Sequence, residues 1–423
     1  MTGEQPLLTI VIPVRNRAKY LPSVLRTVLE QSFRDVEVLV VDNASSDGTD
    51  RLVAQIADER VRYFPSNSVL GMSENWERGL EFARGEYVFY LGGDDGLMPE
   101  SLSEVAFLVE RFSPPALSWQ KPDYTWPDAD PPSSLQVMLP GPLRWLDAKM
   151  ILRLLCAGRT NYGLLPNIYS SFVRRTSIER IRAEKGRFFG SVTPDVYSAI
   201  SLVSEFQDFL FSPYPFSISG ASGASNGMAN ARVGGLENFF AEAGLPMHPD
   251  MPVIAGSISS AVLEALLTAN DAIFGGRLHI NRKRYIKLIV RELKERHPEI
   301  RNLGLLAIKD LNLTPGERRY FVSAAGTASE SSEGALDAGE QQAYQYEARN
   351  NVVRVDDCEA LGVRDIYDAA ALVRRLVGPF KPPTEVARLS WRGLGVETAQ
   401  RGVTRLVRGT GASQRGPVSV LDL

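Results

Sequence analysis

Two apolar, β-branched runs, residues 8–14 (LTIVIPV) and 36–41 (VEVLVV), constrain this chain more than anything else in it. Such runs suit strands buried on both faces, as in a parallel sheet. Between them, Pro22 suits a first helical turn. Leu21, Val24, Leu25, Val28 and Leu29 then fall at i, i+3, i+4, i+7 and i+8, one stripe of a helix. The alternation continues. A turn-rich stretch at 43–49 leads into a helix carrying Leu52, Val53, Ile56 and Ala57. Residues 61–64 read as a third strand, 74–83 as a helix and 87–91 (YVFYL) as a fourth strand. That strand runs straight into Gly92-Gly93-Asp94-Asp95-Gly96, and Pro99 opens a further helix with Leu102, Val105, Ala106, Leu108 and Val109 apolar. The pattern predicts an α/β fold with a mostly parallel central sheet and helices on both faces.

Ligands of such sheets bind outside the carboxyl ends of the strands. Three of the four strands end in polar or Gly-rich segments: Arg15-Asn16-Arg17, Asp42-Asn43 and the 92–96 turn. The chemistry is expected there. A phosphate-cradling glycine loop is absent, since PVRNRAKYL contains no glycine, and this disfavours a dinucleotide dehydrogenase or a P-loop nucleotidase. Asp42 can accept a hydrogen bond from a base or sugar, or serve a turn; Ser45, Ser46 and Asp47 already read as capping residues. Asp94-Asp95 offers the carboxylate oxygens that Mg²⁺ shares with substrate phosphates, and a metal-bridged diphosphate is the better leaving group.

The chain has 423 residues, enough for roughly two to three domains. Past residue 120 the pattern changes. Residues 123–142, rich in Pro, Asp and Ser, read as an irregular excursion. Helices are expected at 258–274, 282–295 and 366–377. The segment 326–342 has the composition of a linker. The glycine- and serine-rich 219–227 (SGASGASNG) reads either as a lid or as a flexible connection.

Lys plus Arg (47) nearly balances Asp plus Glu (50), so no whole-chain basic field is present and no nucleic-acid partner is expected. Cys156 and Cys358 have no metal-type spacing with each other or with His248, His279 and His297, and read as free thiols in a reducing compartment. No secretory leader and no run of about 18 apolar residues is visible, so a cytoplasmic location is expected. Arg388, Arg392, Arg401, Arg405, Arg408 and Arg415 share the stretch 386–416 with one acid, Glu397. That tail suits peripheral contact with the anionic inner face of a membrane; a solvated or packed tail is the alternative.

Together, LTIVIPVRNRAKYL, VEVLVVDNASSDGT and ARGEYVFYLGGDDGLMP resemble the family 2 glycosyltransferases, which have the GT-A fold. The ordered set, over about the first 110 residues, is far more specific than any one motif. The resemblance implies an inverting transferase that moves a sugar from a UDP- or dTDP-sugar to a hydroxyl of a glycan or glycolipid acceptor in cell-surface polysaccharide synthesis. Pro13, Asn16 and Arg17 would line the nucleotide, Asp42 would pair with the base, and Asp94 and Asp95 would sit at the diphosphate with Mg²⁺ or Mn²⁺. Asn75 is carried over as a donor-sugar or structural residue. The donor half would be 1–115, the acceptor half and a helical region 116–320, a linker 321–345, and a partly helical C-terminal extension with the Arg-rich tail 346–423.

The chain departs from the family pattern twice. Gly92 stands where Leu-Asp-x-Asp-Asp has its first acid, and 67–79 (NSVLGMSENWERG) replaces the commoner Ala-Arg-Asn-x-Gly. For the general base that inversion requires, the best candidate is Asp195. Thr193 reads as an N-cap and Pro194 as the first helical residue, so the helix dipole is expected to favour ionised Asp195. The residue also resembles the acid that the family places at a helix start in its acceptor half; helix stability alone would equally place an Asp there. Two other classes stand beside this reading. A sugar nucleotidylyltransferase would open with a Gly-rich loop, which PVRNR lacks. A non-catalytic binding or scaffold protein of GT-A fold is kept open by Gly92.

Overall fold

The computed structural model describes residues 5–225, 244–326, 344–347, 352–383 and 386–389. Four strands form where the apolar runs predict them: β1 (Leu8–Val14), β2 (Val36–Asp42), β3 (Val61–Pro65) and β4 (Tyr87–Tyr90). Their side chains alternate between two cores. Val11, Leu39, Val41, Val88 and Tyr90 enter one, while Ile10, Ile12, Val38, Val40, Tyr87 and Phe89 enter the other. A strand with no polar face can satisfy both its sides only between two layers of helix. Helices Leu21–Leu29, Ser101–Phe112 and Ile366–Val377 cover the second core. Helices Met72–Phe82, Pro194–Leu202, Ile258–Ala272 and Arg282–Lys294 cover the first.

Downstream lie β5 (Gly96–Leu97), β6 (Ala116–Trp119), β7 (Asp123–Thr125), β8 (Leu135–Met138), β9 (Arg144–Asp147), β10 (Ser171–Arg174), β11 (Asp208–Ser212) and β12 (Ser217–Ala221). Short strands β13 (Tyr344–Glu347), β14 (Val352–Val355) and β15 (Ala387–Leu389) follow. Among the described residues, the main sheet runs β15-β9-β11-β6-β10-β4-β1-β2-β3. It is mostly parallel, with antiparallel pairing at β4–β10, β10–β6 and β11–β9. Register sets Val14 beside Asp42 and Val11 beside Tyr90. The segments after β1, β2 and β4 therefore emerge at one edge.

A second sheet, β13-β14-β8-β7-β12-β5, corrects the reading of 123–142 as irregular. Strands β7 and β8 pair antiparallel there, with Tyr124 opposite Leu135. Leu135 and Val137 are buried and Gln136 is exposed, a period-2 signal that the surrounding Pro, Asp and Ser conceal. In the same sheet Ile218 of β12 pairs with Gly96 of β5, and Gly220 with Tyr124 of β7.

Helix Ile366–Val377 docks on Leu21–Leu29: Ser23 donates to Asp365 at 2.7 Å and Tyr367 to Glu30 at 2.6 Å. Arg388 pairs with Asp208 at 2.9 Å and lies over the Trp145 ring. The other tail arginines, residues 327–342 of the expected linker and residues 226–227 of the glycine- and serine-rich loop lie outside the described residues. No helix among the described residues is long and apolar enough to cross a membrane.

Candidate active site

A cavity of about 1320 Å³ opens at the carboxyl edge of β1, β2 and β4. Pro13, Asn16, Arg17, Asn75, Asp94, Asp95 and Asp195 all line it; Asp42 does not. The loop after β1 turns at Asn16, whose φ of 54° lies in the left-handed region that Asn tolerates better than most residues. It is laced to the next loop: Asn16 N–H donates to Ser45 Oγ at 2.8 Å, and Ser46 N–H donates to Asn16 Oδ1 at 2.9 Å. Arg17 reaches across to donate to the Ala224 carbonyl at 2.6 Å. A Cβ on Gly93 would lie 3.0 Å from Arg17 Cγ, so this close approach uses the glycine. Asn75, buried on helix Met72–Phe82, donates to the Val41 carbonyl at 3.3 Å and braces the end of β2.

The Asp42 carboxylate is buried within its own turn. One oxygen accepts from the Ser45 N–H and hydroxyl, and the other accepts from the Tyr63 hydroxyl at 2.5 Å. Its turn role is thus present despite Ser45, Ser46 and Asp47.

Asp94 and Asp95 are both buried at the head of β4. Among the described residues, hydrogen bonds reach the Asp94 carboxylate only at Oδ2, from the hydroxyls of Ser222 (2.6 Å) and Ser225. Burial, and next the Asp95 charge, push the Asp94 carboxyl upward; Arg17 and the two serines pull the other way. Asp95 accepts from Gly220 N–H at 2.8 Å and from Lys121 Nζ at 3.2 Å. Space at Gly92 is filled by these acids, since a Cβ there would lie 3.0 Å from the Asp95 carboxylate. Among the described residues no third metal-ligating side chain joins the pair.

On the same cavity, Asp195 sits in the first turn of Pro194–Leu202, with Thr193 at the N-cap position and Pro194 first in the helix. Thr193 makes no side-chain cap; its N–H donates to Ser191 Oγ at 3.2 Å. Burial raises the Asp195 carboxyl from its ordinary value, outweighing the Asn167 hydrogen bond and the helix-start N–H groups. The helix-start N–H groups thus favour the ionised form, as expected, but removal from water outweighs them and the net shift is upward.

Three lining residues carry chemistry that the motifs did not mark. Lys121 and Asp123 follow β6, and Asn167 donates to Asp195. Asp123 is open to the cavity, yet the walls displace much of its solvent and raise its carboxyl, with Lys121 opposing. A strand-end signal existed for the first two, since ALSW is an apolar run ending in Gln-Lys-Pro-Asp.

Residues 9–131 match the profile of Glycosyl transferase family 2. Over that segment, the chain is similar to the family 2 glycosyltransferases. The GalNAc(5)-diNAcBac-PP-undecaprenol beta-1,3-glucosyltransferase of Campylobacter jejuni is 36% identical over 101 residues, 23% of this chain and 33% of that protein. The putative teichuronic acid biosynthesis glycosyltransferase TuaG of Bacillus subtilis is 34% identical over 116 residues, 26% of this chain and 45% of that protein. The matched stretch thus spans a third to under half of these relatives. Among solved structures, S. aureus TarS residues 1–349 in complex with UDP-GlcNAc aligns with a TM-score of 0.44 at 15% identity, covering 76% of this chain and 90% of that one. The GT-A-like α/β layering that the family implies is the layering described above.

Proposed function

We propose that this chain is an inverting, metal-assisted glycosyltransferase that moves a sugar from a UDP- or dTDP-sugar to a hydroxyl of a glycan or glycolipid acceptor. One observation carries the reading: a single cavity is lined by the donor-side residues Pro13, Asn16, Arg17, Asn75, Asp94 and Asp95 and by the acid Asp195. The acceptor in the Campylobacter relative's name, an undecaprenol-linked glycan, favours a glycolipid of cell-surface polysaccharide synthesis. An acceptor of that kind would bring the enzyme to the inner face of the membrane.

The residues fit a divalent cation. Asp94 and Asp95 are hard oxygen donors, Asp94 Oδ1 takes no hydrogen bond among the described residues, and the crowding that raises Asp94 is what a cation relieves. Asp94 and Asp95 would hold Mg²⁺ or Mn²⁺, which would supply Lewis-acid neutralisation of the diphosphate. Pro13, Asn16 and Arg17 bind the nucleotide, and Asp42 pairs with the base once its turn opens. Asp195 takes the acceptor hydroxyl's proton as that oxygen bonds to the anomeric carbon from the face opposite the leaving group. The anomeric C–O bond breaks, and its electron pair leaves with the diphosphate.

Thermal shifts with UDP, dTDP, GDP and CDP, with and without Mg²⁺ or Mn²⁺, test this. UDP or dTDP should stabilise the protein, more so with metal, and Asp94→Ala should lose most of the effect. Silence to every nucleotide would sink the reading. Consumption of nucleoside triphosphate plus sugar phosphate, with diphosphate release, would replace it with a nucleotidylyltransferase.

A further inference from the structure

Lys121 holds a position that neither the family motifs nor the donor-side reading accounts for. It follows β6, an interior strand of the main sheet whose four residues are all buried, and its side chain is 18% exposed. Lysines are seldom so enclosed without a function for the ammonium. Here the contacts are sparse: Nζ lies 3.2 Å from Asp95 Oδ2 and 5.3 Å from the centroid of Tyr169. An ammonium has three donors, and among the described residues Asp95 takes one. The remainder belong to the cavity that Lys121 lines together with Asp94.

The charge pattern points the same way. At Gly92 the chain lacks the first acid of the family motif, and the neighbouring carboxylate already occupies the space a side chain would need. The donor-side centre thus has two acids, Asp94 and Asp95, and two cations, with Arg17 acting on Asp94 and Lys121 on Asp95. Asp95 is anchored on both oxygens, by Lys121 and by Gly220 N–H. Compared with a three-acid site, this centre is less negative before any cation arrives.

We propose that Lys121 binds the diphosphate of the nucleotide donor, placing an ammonium beside Asp95 so that nucleotide-diphosphate binding does not depend on a divalent cation alone. This rests on the glycosyltransferase reading. As the anomeric C–O bond breaks, the electron pair moves onto the diphosphate, and Lys121 stabilises that charge from the protein itself. Its positive charge also acts on Asp123 and Asp195 in the acceptor half.

The test is affinity for UDP and for uridine, with dTDP and thymidine in parallel, in EDTA and in Mn²⁺. It compares wild type with Lys121→Gln and Lys121→Arg. Wild type should retain UDP binding in EDTA. Lys121→Gln should weaken it about tenfold, the size of a lost charge-assisted contact. The loss should shrink in Mn²⁺, Lys121→Arg should restore most of it, and uridine, which has no diphosphate, should bind all three alike. Equal loss for UDP and uridine would mean that Lys121 only shapes the site, and would overturn the proposal. So would an unchanged Lys121→Gln, or a wild type that binds UDP only with Mn²⁺. In each of those cases nucleotide binding itself survives and the parent reading stands; a wild type that binds neither nucleotide in either condition removes both.

Discussion

The side-chain amide of Asn167 donates to the Asp195 carboxylate at 3.3 Å, and its own oxygen is fixed by the Tyr169 N–H at 2.8 Å. A buried, pre-oriented donor of this kind favours the charged form of the acid it faces. Burial raises Asp195 and Asn167 restrains the rise. A base works only when ionised, so transfer should fall as pH drops through the Asp195 pKa, at a higher pH than an ordinary Asp would give. Asn167→Ala removes the restraint and should move that acid limb of kcat/KM further upward. An unmoved limb would show that Asp195 does not control it.

Asp195→Asn should keep nucleotide binding and lose transfer by a factor of ~10²–10⁴, the range for removing a general base. Asp123→Asn is the necessary companion, because Asp123 lines the same cavity and its carboxyl is also raised by its surroundings. It should lose far less. If single-turnover transfer shows the reverse, the two acids exchange roles.

Asp42 should weaken UDP or dTDP binding when changed to Asn, with little effect on diphosphate alone, if it pairs with the base. Tyr63→Phe frees one Asp42 oxygen and should leave that binding equal or tighter. Weaker binding in Tyr63→Phe, read by calorimetry, would instead mark the intact turn as what the nucleotide needs.

Gly220 is where the second sheet meets the acid pair. A Cβ there would stand 1.8 Å from the Asp94 carbonyl oxygen and 2.8 Å from Trp126 Nε1, which itself donates to that carbonyl at 3.0 Å. Backbone cannot step aside as a side-chain tip can. Gly220→Ala should therefore cost about 3 kcal/mol or more in urea unfolding, at the upper end for overpacking. Gly92→Ala meets side-chain atoms rather than backbone, the Asp95 carboxylate at 3.0 Å and Asp94 Oδ1 at 3.4 Å, and should cost clearly less while still weakening nucleotide binding.

How much of this was legible beforehand depended on whether a local signal stood alone. The four strands and the acids after β4 could be read because the runs of five consecutive buried residues in β1 and seven in β2 leave no other periodicity to compete. Strands β7 and β8 were hidden because three- and four-residue strands among prolines offer too few alternations. The position of Asp195 followed from Thr-Pro-Asp, but the direction of its shift did not. A helix start is local, whereas burial is made by the cavity wall, Asn167 included, which is distant in sequence. Lys121 reaches Asp95 across 26 residues, a contact no spacing rule contains.

Glu37 gives the sharpest test of the fold beneath the site. It lies on β2 with 4% of its surface exposed, and it accepts from Thr9 Oγ1 at 2.7 Å, Arg84 N–H at 2.6 Å, Arg84 Nε at 2.9 Å and Arg62 at 3.1 Å. Burial pushes its carboxyl upward, but these donors outweigh it and the net shift is downward. A carboxyl whose folded pKa is depressed contributes stability that is fully present above its unfolded value and is lost as pH falls through the folded value. Glu37→Gln should cost about 1.5–3 kcal/mol near neutral pH, the range for hydrogen bonds to a charged group. The low end is expected, because the Arg84 side chain is largely exposed and stays solvated when unpaired. Urea unfolding of both proteins from about pH 7 to about pH 3 should then show the gap narrowing on the acid side. A constant gap across that range would mean that Glu37 is not held as a carboxylate, and that neutral hydrogen bonds alone tie β2 to β1 and the Arg84 turn.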